Sequence, residues 1–249
     1  AQFGKLRCSF VNIAIIADDL TGANDTGVQL ARKGIRTAVQ FDYRHTPLNA
    51  YEALVIDTDS RSDEPDTAYR KVKQVCEMVR EAGVETIYKK IDSTLRGNLG
   101  AELDAVFDVF QPDLIVIAPS YPDNGRIVSD GHLLVDGVPL DKTEMSNDPK
   151  TPVTESSLLK VLASQTRRKI AHVRTDDLYK GFAHMKDWID EQKKEQVAYF
   201  VCDAETDIDL KMIVQVFRQS GCKVIWCGSA GLANALYAER AGERSLKLP

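Results

Sequence analysis

Short apolar runs rich in β-branched residues alternate along the chain with segments whose apolar positions recur at helical spacing. Strands are predicted over 11–17, 37–41, 53–57, 86–89, 114–118, 170–173, 197–201 and 224–227. Between them, Ala68, Val72, Val75, Cys76 and Val79 repeat with the period of a helix, as do Leu103, Val106, Phe107 and Phe110, and Leu158, Leu159 and Leu162. Nearly continuous apolar strands have both faces buried, which requires helices above and below a mainly parallel sheet. The predicted fold is therefore a three-layer α/β, Rossmann-like domain. The stretch 119–152 breaks the rhythm with Pro119, Pro122, Pro139, Pro149 and Pro152, and is expected to be a long ordered loop.

The polar residues are placed unevenly. Dense clusters follow four strands: Asp18-Asp19-Leu20-Thr21-Gly22-Ala23-Asn24-Asp25; Asp57-Thr58-Asp59-Ser60-Arg61; Lys89-Lys90-Ile91-Asp92-Ser93-Thr94-Leu95-Arg96-Gly97-Asn98; and Pro119-Ser120-Tyr121-Pro122-Asp123-Asn124-Gly125-Arg126. In an open parallel sheet the carboxyl ends of all strands share one edge, where ligands bind, so these clusters are expected to meet. Any one of them is equally explained as a helix cap or a turn. Together they offer cations suited to an anionic group (Arg61, Lys89, Lys90, Arg96, Arg126) and carboxylates suited to hydroxyls or, as oxygen ligands, to Mg²⁺ (Asp18, Asp19, Asp57, Asp59, Asp92). A small polyhydroxy acid matches both halves. Gly97 to Gly100 opens a helix and is expected to add backbone N–H donors. Asp18 and Asp19, as neighbours at a strand end, are expected to point to opposite sides, so that only one faces a ligand.

With 32 basic and 37 acidic residues among 249, the formal charge of -5 leaves no broad basic footprint, and nucleic acid is not an expected partner. The five cysteines form no C-x-x-C pair, which fits a reducing, cytoplasmic setting. The early apolar run 10–17 is too short to span a bilayer. His45, His172 and His184 lack metal-ligand spacing, and no metal site is predicted.

These clusters carry a resemblance. The run Ile15-Ile16-Ala17-Asp18-Asp19-Leu20-Thr21-Gly22-Ala23-Asn24-Asp25-Thr26-Gly27 resembles the opening motif of the four-carbon acid sugar kinases. The three later clusters, Gly131-His132-Leu133-Leu134-Val135-Asp136-Gly137 and Cys227-Gly228-Ser229-Ala230-Gly231-Leu232-Ala233 are similar to that family as well. The resemblance implies ATP-dependent phosphorylation of threonate, erythronate or a 3-oxo-tetronate at its terminal hydroxyl. It implies that 1–249 is the N-terminal, substrate-binding domain and that ATP and Mg²⁺ are held mainly by a C-terminal nucleotide-binding domain absent from this chain. It is compatible with a homodimer. Within it, Asp18 or Asp19 is the expected base, and Arg61, Lys89, Asp92, Ser93, Arg96, Asn124, Arg126 and His132 are the expected substrate ligands; no cofactor-binding residue is assigned.

Other readings compete. The chief one is a non-catalytic sugar-acid-binding module or sensor. Cys227-Gly228-Ser229-Ala230-Gly231 is loosely similar to a hydrolase nucleophile elbow, but no histidine follows Ser229. Asp57-Thr58-Asp59-Ser60 resembles a dehalogenase-type phosphatase motif, though on the third strand rather than the first. Gly22 to Gly27 has P-loop glycine spacing, yet Val28 stands where lysine is needed.

Overall fold

The computed structural model describes residues 11–41 and 51–238. Eight strands form one sheet: β1 (Ile13–Ala17), β2 (Thr37–Gln40), β3 (Ala53–Asp57), β4 (Thr86–Lys90), β5 (Leu114–Ala118), β9 (Lys169–Val173), β10 (Val197–Cys202) and β11 (Val224–Gly228). Their order is β2-β3-β1-β4-β11-β5-β10-β9, and every pairing is parallel. Parallel pairing needs crossovers, supplied by α1 (Leu20–Arg32), α2 (Pro65–Glu81), α3 (Leu99–Phe110), α4 (Leu158–Gln165), α6 (Phe182–Lys194) and α7 (Asp207–Gln219). A short α5 (Thr175–Leu178) and α8 (Ala230–Leu236) complete the helices.

Strand side chains alternate between two apolar clusters. On one face, Ile13 and Ile15 of β1 belong to a continuous apolar cluster that also takes in Ala23 and Leu30 of α1, Met185 of α6 and Ile213 of α7. On the other face, Ala14 and Ile16 belong to a second cluster that includes Val72 of α2, Leu103 of α3 and Leu158 of α4. The three-layer α/β expectation is met, with a purely parallel main sheet.

The stretch 119–152 is not a loop. It folds into an antiparallel sheet of β6 (Arg126–Ser129), β7 (His132–Val135) and β8 (Val138–Pro139), followed by two 3₁₀ turns. Both hairpins turn on two residues with positive φ, Asp130-Gly131 (47° and 76°) and Asp136-Gly137 (49° and 79°). That is type I′ geometry, whose twist matches the flanking strands, and Asp-Gly is its favoured sequence. The hairpin seats on the main sheet through a bridge from Val128 to Ala204.

The chain places β1 between strands reached in opposite directions: β3 lies on one side and β4 on the other. Such a reversal opens a crevice at the carboxyl ends of the strands, because the connecting chains leave toward different faces. The first three polar clusters emerge around it.

Candidate functional site

At the end of β1 the chain turns directly into α1. Asp19 is the N-cap, in extended conformation, and its Oδ1 accepts the Gly22 N–H at 2.9 Å. Capping satisfies one of the helix's orphan donors. The other carboxylate, Asp18, is 3% exposed. Arg61 binds both. Its Nε and Nη2 donate to Asp18 at 2.7 and 3.0 Å, and its Nη1 and Nη2 donate to Asp19 at 2.7 and 2.6 Å. The neighbouring aspartates thus converge instead of pointing apart, because Asp18 lies beyond the strand and one guanidinium spans both. Arg61 has five N–H donors and commits four bonds to the aspartates, so it is a clamp on protein carboxylates first.

The segment carrying Arg61 is itself fixed. Backbone N–H groups of Ser60 and Arg61 donate to the Asp18 carbonyl at 3.0 and 3.2 Å. The Asn98 amide donates to the carbonyls of Ser60 and Asp63 at 3.1 and 2.8 Å. Gly97, at φ 101°, lets this segment pass close: a Cβ there would sit 3.1 Å from Arg61 Cγ.

At the end of β4 the two lysines part. Lys89 is 0% exposed, with its ammonium 2.7 Å from the Glu102 carboxylate and 2.8 Å from the Lys90 carbonyl. Lys89, expected as a substrate ligand, is turned inward under α3 by the alternation of the strand, with its ammonium spent on Glu102 and the Lys90 carbonyl. Lys90 takes the crevice side. Its ammonium donates to the Ile91 carbonyl at 2.8 Å and lies 2.7 Å from where a Gly22 Cβ would stand, so Gly22 makes room for it. Burial pushes the Lys90 ammonium below its ordinary value, although Asp18, Asp92 and Asp19 pull the other way.

Beyond Lys90, Asp92 accepts from Thr94 Oγ1 at 2.7 Å and pairs with Arg96. Burial works against the charge of Asp92, but Arg61 and Arg96 prevail and hold its carboxyl below the usual range. Arg96 reaches across to Asp148 at 3.1 Å. Ser93 is half-buried in the same turn. On the other flank, burial lifts the Asp57 carboxyl above its ordinary range against a bond from the Asp59 N–H, with Asp59, Asp19 and Asp18 adding like charge.

Arg61, Arg96, Gly97 and Asn98 form one wall of a cleft of about 610 Å³, closed opposite by Lys150 to Glu155 and by α4. The Gly100 N–H expected to serve an anion is taken by Gln165 Oε1 at 2.8 Å, so that helix opening is filled from within.

The remaining expected residues lie on the antiparallel sheet and its approach. Asn124 closes the 3₁₀ turn Pro122–Asn124, and Arg126 starts β6 with its Nε buried and without a hydrogen-bond partner. His132 is exposed on β7, its Nδ1 3.1 Å from Ser156 Oγ. None of the bonds described for Asn124, Arg126 or His132 reaches Asp18, Asp19 or Arg61. Ser229 is the N-cap of α8, accepting from the Gly231 N–H at 3.1 Å and donating to the Ser120 carbonyl at 2.8 Å, which accounts for the elbow-like motif. Sequence reasoning did not find Glu102 or Asp148. Glu102 carried a signal, an acid among Leu99, Leu103 and Val106 on the buried face of α3.

Among the described residues, no three His, Cys, Asp or Glu side chains are grouped to hold a metal ion, and no helix is long and apolar enough to cross a membrane.

A family profile described as the sugar-binding N-terminal domain matches residues 13–236. A D-erythronate kinase of Heliobacterium modesticaldum is 38% identical over 231 residues, which are 91% of this chain and 53% of the relative. A D-threonate kinase of Salmonella typhimurium is 38% identical over 96% of this chain and 56% of its own length. A 3-oxo-tetronate kinase of Haemophilus influenzae is 30% identical over 92% and 56%. The chain therefore spans about half the length of the curated relatives it matches. A solved Haemophilus influenzae structure superposes with TM-score 0.83 at 28% identity, covering 94% of this chain and 57% of that one. A Bordetella bronchiseptica domain, solved as a domain-swapped dimer with bound citrate, superposes with TM-score 0.79 at 31% identity over 94% and 57%.

Proposed function

Because the chain belongs to the family of sugar-binding N-terminal domains found in four-carbon acid sugar kinases, we propose that it holds the sugar acid in such a kinase. In this reading it presents the terminal hydroxyl of threonate, erythronate or a 3-oxo-tetronate to ATP. The observation that carries the proposal is Arg61, which grips Asp18 and Asp19 on one side and walls the cleft on the other.

Phosphoryl transfer asks for alignment and for charge stabilisation more than for covalent chemistry. On the cleft side, Arg96, Lys150 and the remaining N–H of Arg61 receive the substrate carboxylate, a chemistry in keeping with the citrate held by the Bordetella relative. Asp19 accepts the proton of the reacting hydroxyl, since its side chain is 23% exposed against 3% for Asp18. Asp18 holds Arg61, and Lys90 and Asp92 complete the polar floor. Lys89 is left out of substrate contact.

ATP and Mg²⁺ belong, in this proposal, to a C-terminal nucleotide-binding domain. The carboxylates here do not fit a Mg²⁺ site: both aspartates at the end of β1 are engaged by Arg61, and Asp92 by Arg96 and Thr94. The four described free cysteines, Cys76, Cys202, Cys222 and Cys227, support a reducing, cytoplasmic setting. A homodimer is the assembly we favour, after the Bordetella relative.

Calorimetric titration of this chain with each four-carbon acid, and then with ATP and Mg²⁺, tests the reading. Saturable binding of one acid and none of ATP is expected. Absence of acid binding, both to this chain and to a protein that includes the second domain, would overturn it.

A further inference from the structure

Beneath the crevice lies a charge pair that is closed to solvent. Lys89 and Glu102 are 0% and 2% exposed, and their charged atoms meet at 2.7 Å. A buried pair is costly to desolvate, and apolar residues of similar shape frequently serve stability as well or better. Its connections, however, all lead upward. The second Glu102 oxygen accepts from Ser60 Oγ at 2.7 Å; Ser60 Oγ is 2.7 Å from Thr58 Oγ1, which donates to the Ala17 carbonyl at 2.8 Å. Ser60 immediately precedes Arg61, and both backbone N–H groups are tied to Asp18. From the other partner, Lys89 Nζ grips the carbonyl of Lys90, whose side chain faces the aspartates. One pair thus sets the height of the Arg61 segment and of the Lys90 backbone relative to the end of β1.

We propose that Lys89 and Glu102 are positioning residues, which act through Ser60 to keep the Arg61 guanidinium astride Asp18 and Asp19. The inference rests on the kinase reading above for its effect on turnover, but not for its effect on geometry. The guanidinium must meet two carboxylates at once, so a small vertical slip of Ser60 costs one of the two contacts while leaving the sheet intact. A carboxylate suits this place because its two oxygens accept separately, one from Ser60 and one from the ammonium.

The test uses the protein carrying both domains, with Lys89→Met and Glu102→Met combined, so that neither charge is left alone. Single variants strand a buried charge and lose stability for that reason alone. The expected result for the double variant is an unfolding midpoint close to the parent's, with kcat for the sugar acid reduced at least tenfold and its KM for ATP unchanged. A double variant that keeps both its midpoint and its kcat overturns the inference. If the parent itself phosphorylates none of the four-carbon acids, the proposed function falls, and a crystal structure of the double variant decides this inference separately. Arg61 released from Asp19 upholds it, and Arg61 still bound to both aspartates overturns it. Loss of stability in the double variant equal to that of Glu102→Gln alone would show a purely structural pair and overturn it too.

Discussion

The same sheet edge carries two polar regions with opposite fates. Around the ends of β1, β3 and β4, four acids (Asp18, Asp19, Asp57, Asp92) meet three cations (Arg61, Lys90, Arg96), and a cleft opens beside them. Around the ends of β5, β9, β10 and β11, the polar groups are consumed locally. Asp203 accepts the Gly131 N–H and meets His172 Nε2, both at 2.9 Å; Ser120 Oγ donates to the Ala204 carbonyl at 2.8 Å and accepts the Val128 N–H at 3.1 Å. The antiparallel hairpin roofs that half. The contrast teaches that polar residues after a strand make a site only where charge exceeds what caps and turns absorb. In the roofed half the groups just named each find a partner one hydrogen bond away, whereas Arg126 Nε is left buried without one. In the open half, charges must be set against one another through long side chains, and that arrangement leaves room for a ligand.

The sharpest way to break this comparison is Asp19→Asn in the two-domain protein. Asparagine is as good an N-cap as aspartate, so α1 and the fold are kept while the proposed base is lost. Turnover is expected to fall by roughly 10²–10⁴, with the protein still folding cooperatively at a thermal midpoint lowered by the weakened pairing with Arg61. Steady-state kinetics that stayed within a factor of three of the parent would move the base elsewhere.

A smaller and complementary effect is expected from the roofed half. Asp203→Ala strands the buried Gly131 N–H and the His172 ring, which costs about 1–3 kcal/mol in urea unfolding. Sugar-acid affinity by calorimetry should be unchanged. A tenfold weaker affinity in a folded Asp203→Ala protein would erase the boundary between the two regions.

The smallest effect is one of pH. The folded carboxyl of Asp92 is depressed, and backbone N–H groups of Thr151 and Lys150 hold that of Asp148 at about 2. Groups depressed in this way stabilise the fold fully above the unfolded carboxylate value of about 3.9 and lose that contribution as pH falls through their folded values. Unfolding measured from pH 5 down to pH 2 should therefore steepen below about 4. Asp92→Asn should flatten part of that slope; an identical slope in the variant would count against the Arg96 bridge as a contributor.

Much of this was legible in the residues. The β-branched runs marked the central strands β1, β3, β5, β10 and β11 most plainly, since burial on both faces leaves little polar alternation there. The motifs after β1, β3 and β4 announced a shared crevice. Two things were missed for physical reasons. The hairpin over 126–139 was hidden by prolines, although Asp130-Gly131 and Asp136-Gly137 are the dipeptides that a tight antiparallel turn demands. The choice between Lys89 and Lys90 depends on which face of β4 meets α3. The composition of β4 does not reveal that face, but Glu102, an acid in an otherwise apolar stripe, identifies the buried partner.

The position of β11 has a consequence for how the molecule is made. Of the eight strands of the main sheet it comes last along the chain, yet it is inserted between β4 and β5, and Tyr88 Oη closes onto the carbonyl of Ser229, 141 residues later. Until it arrives, the nascent chain holds two half-sheets, β2-β3-β1-β4 and β5-β10-β9, each with an open apolar margin. Long-range closures of this kind are slow, and unpaired margins invite association between chains. The keystone strand therefore makes joining the two halves a late, long-range step: a chain cut short of it would hold most of the sheet's sequence without the strand that bridges β4 and β5.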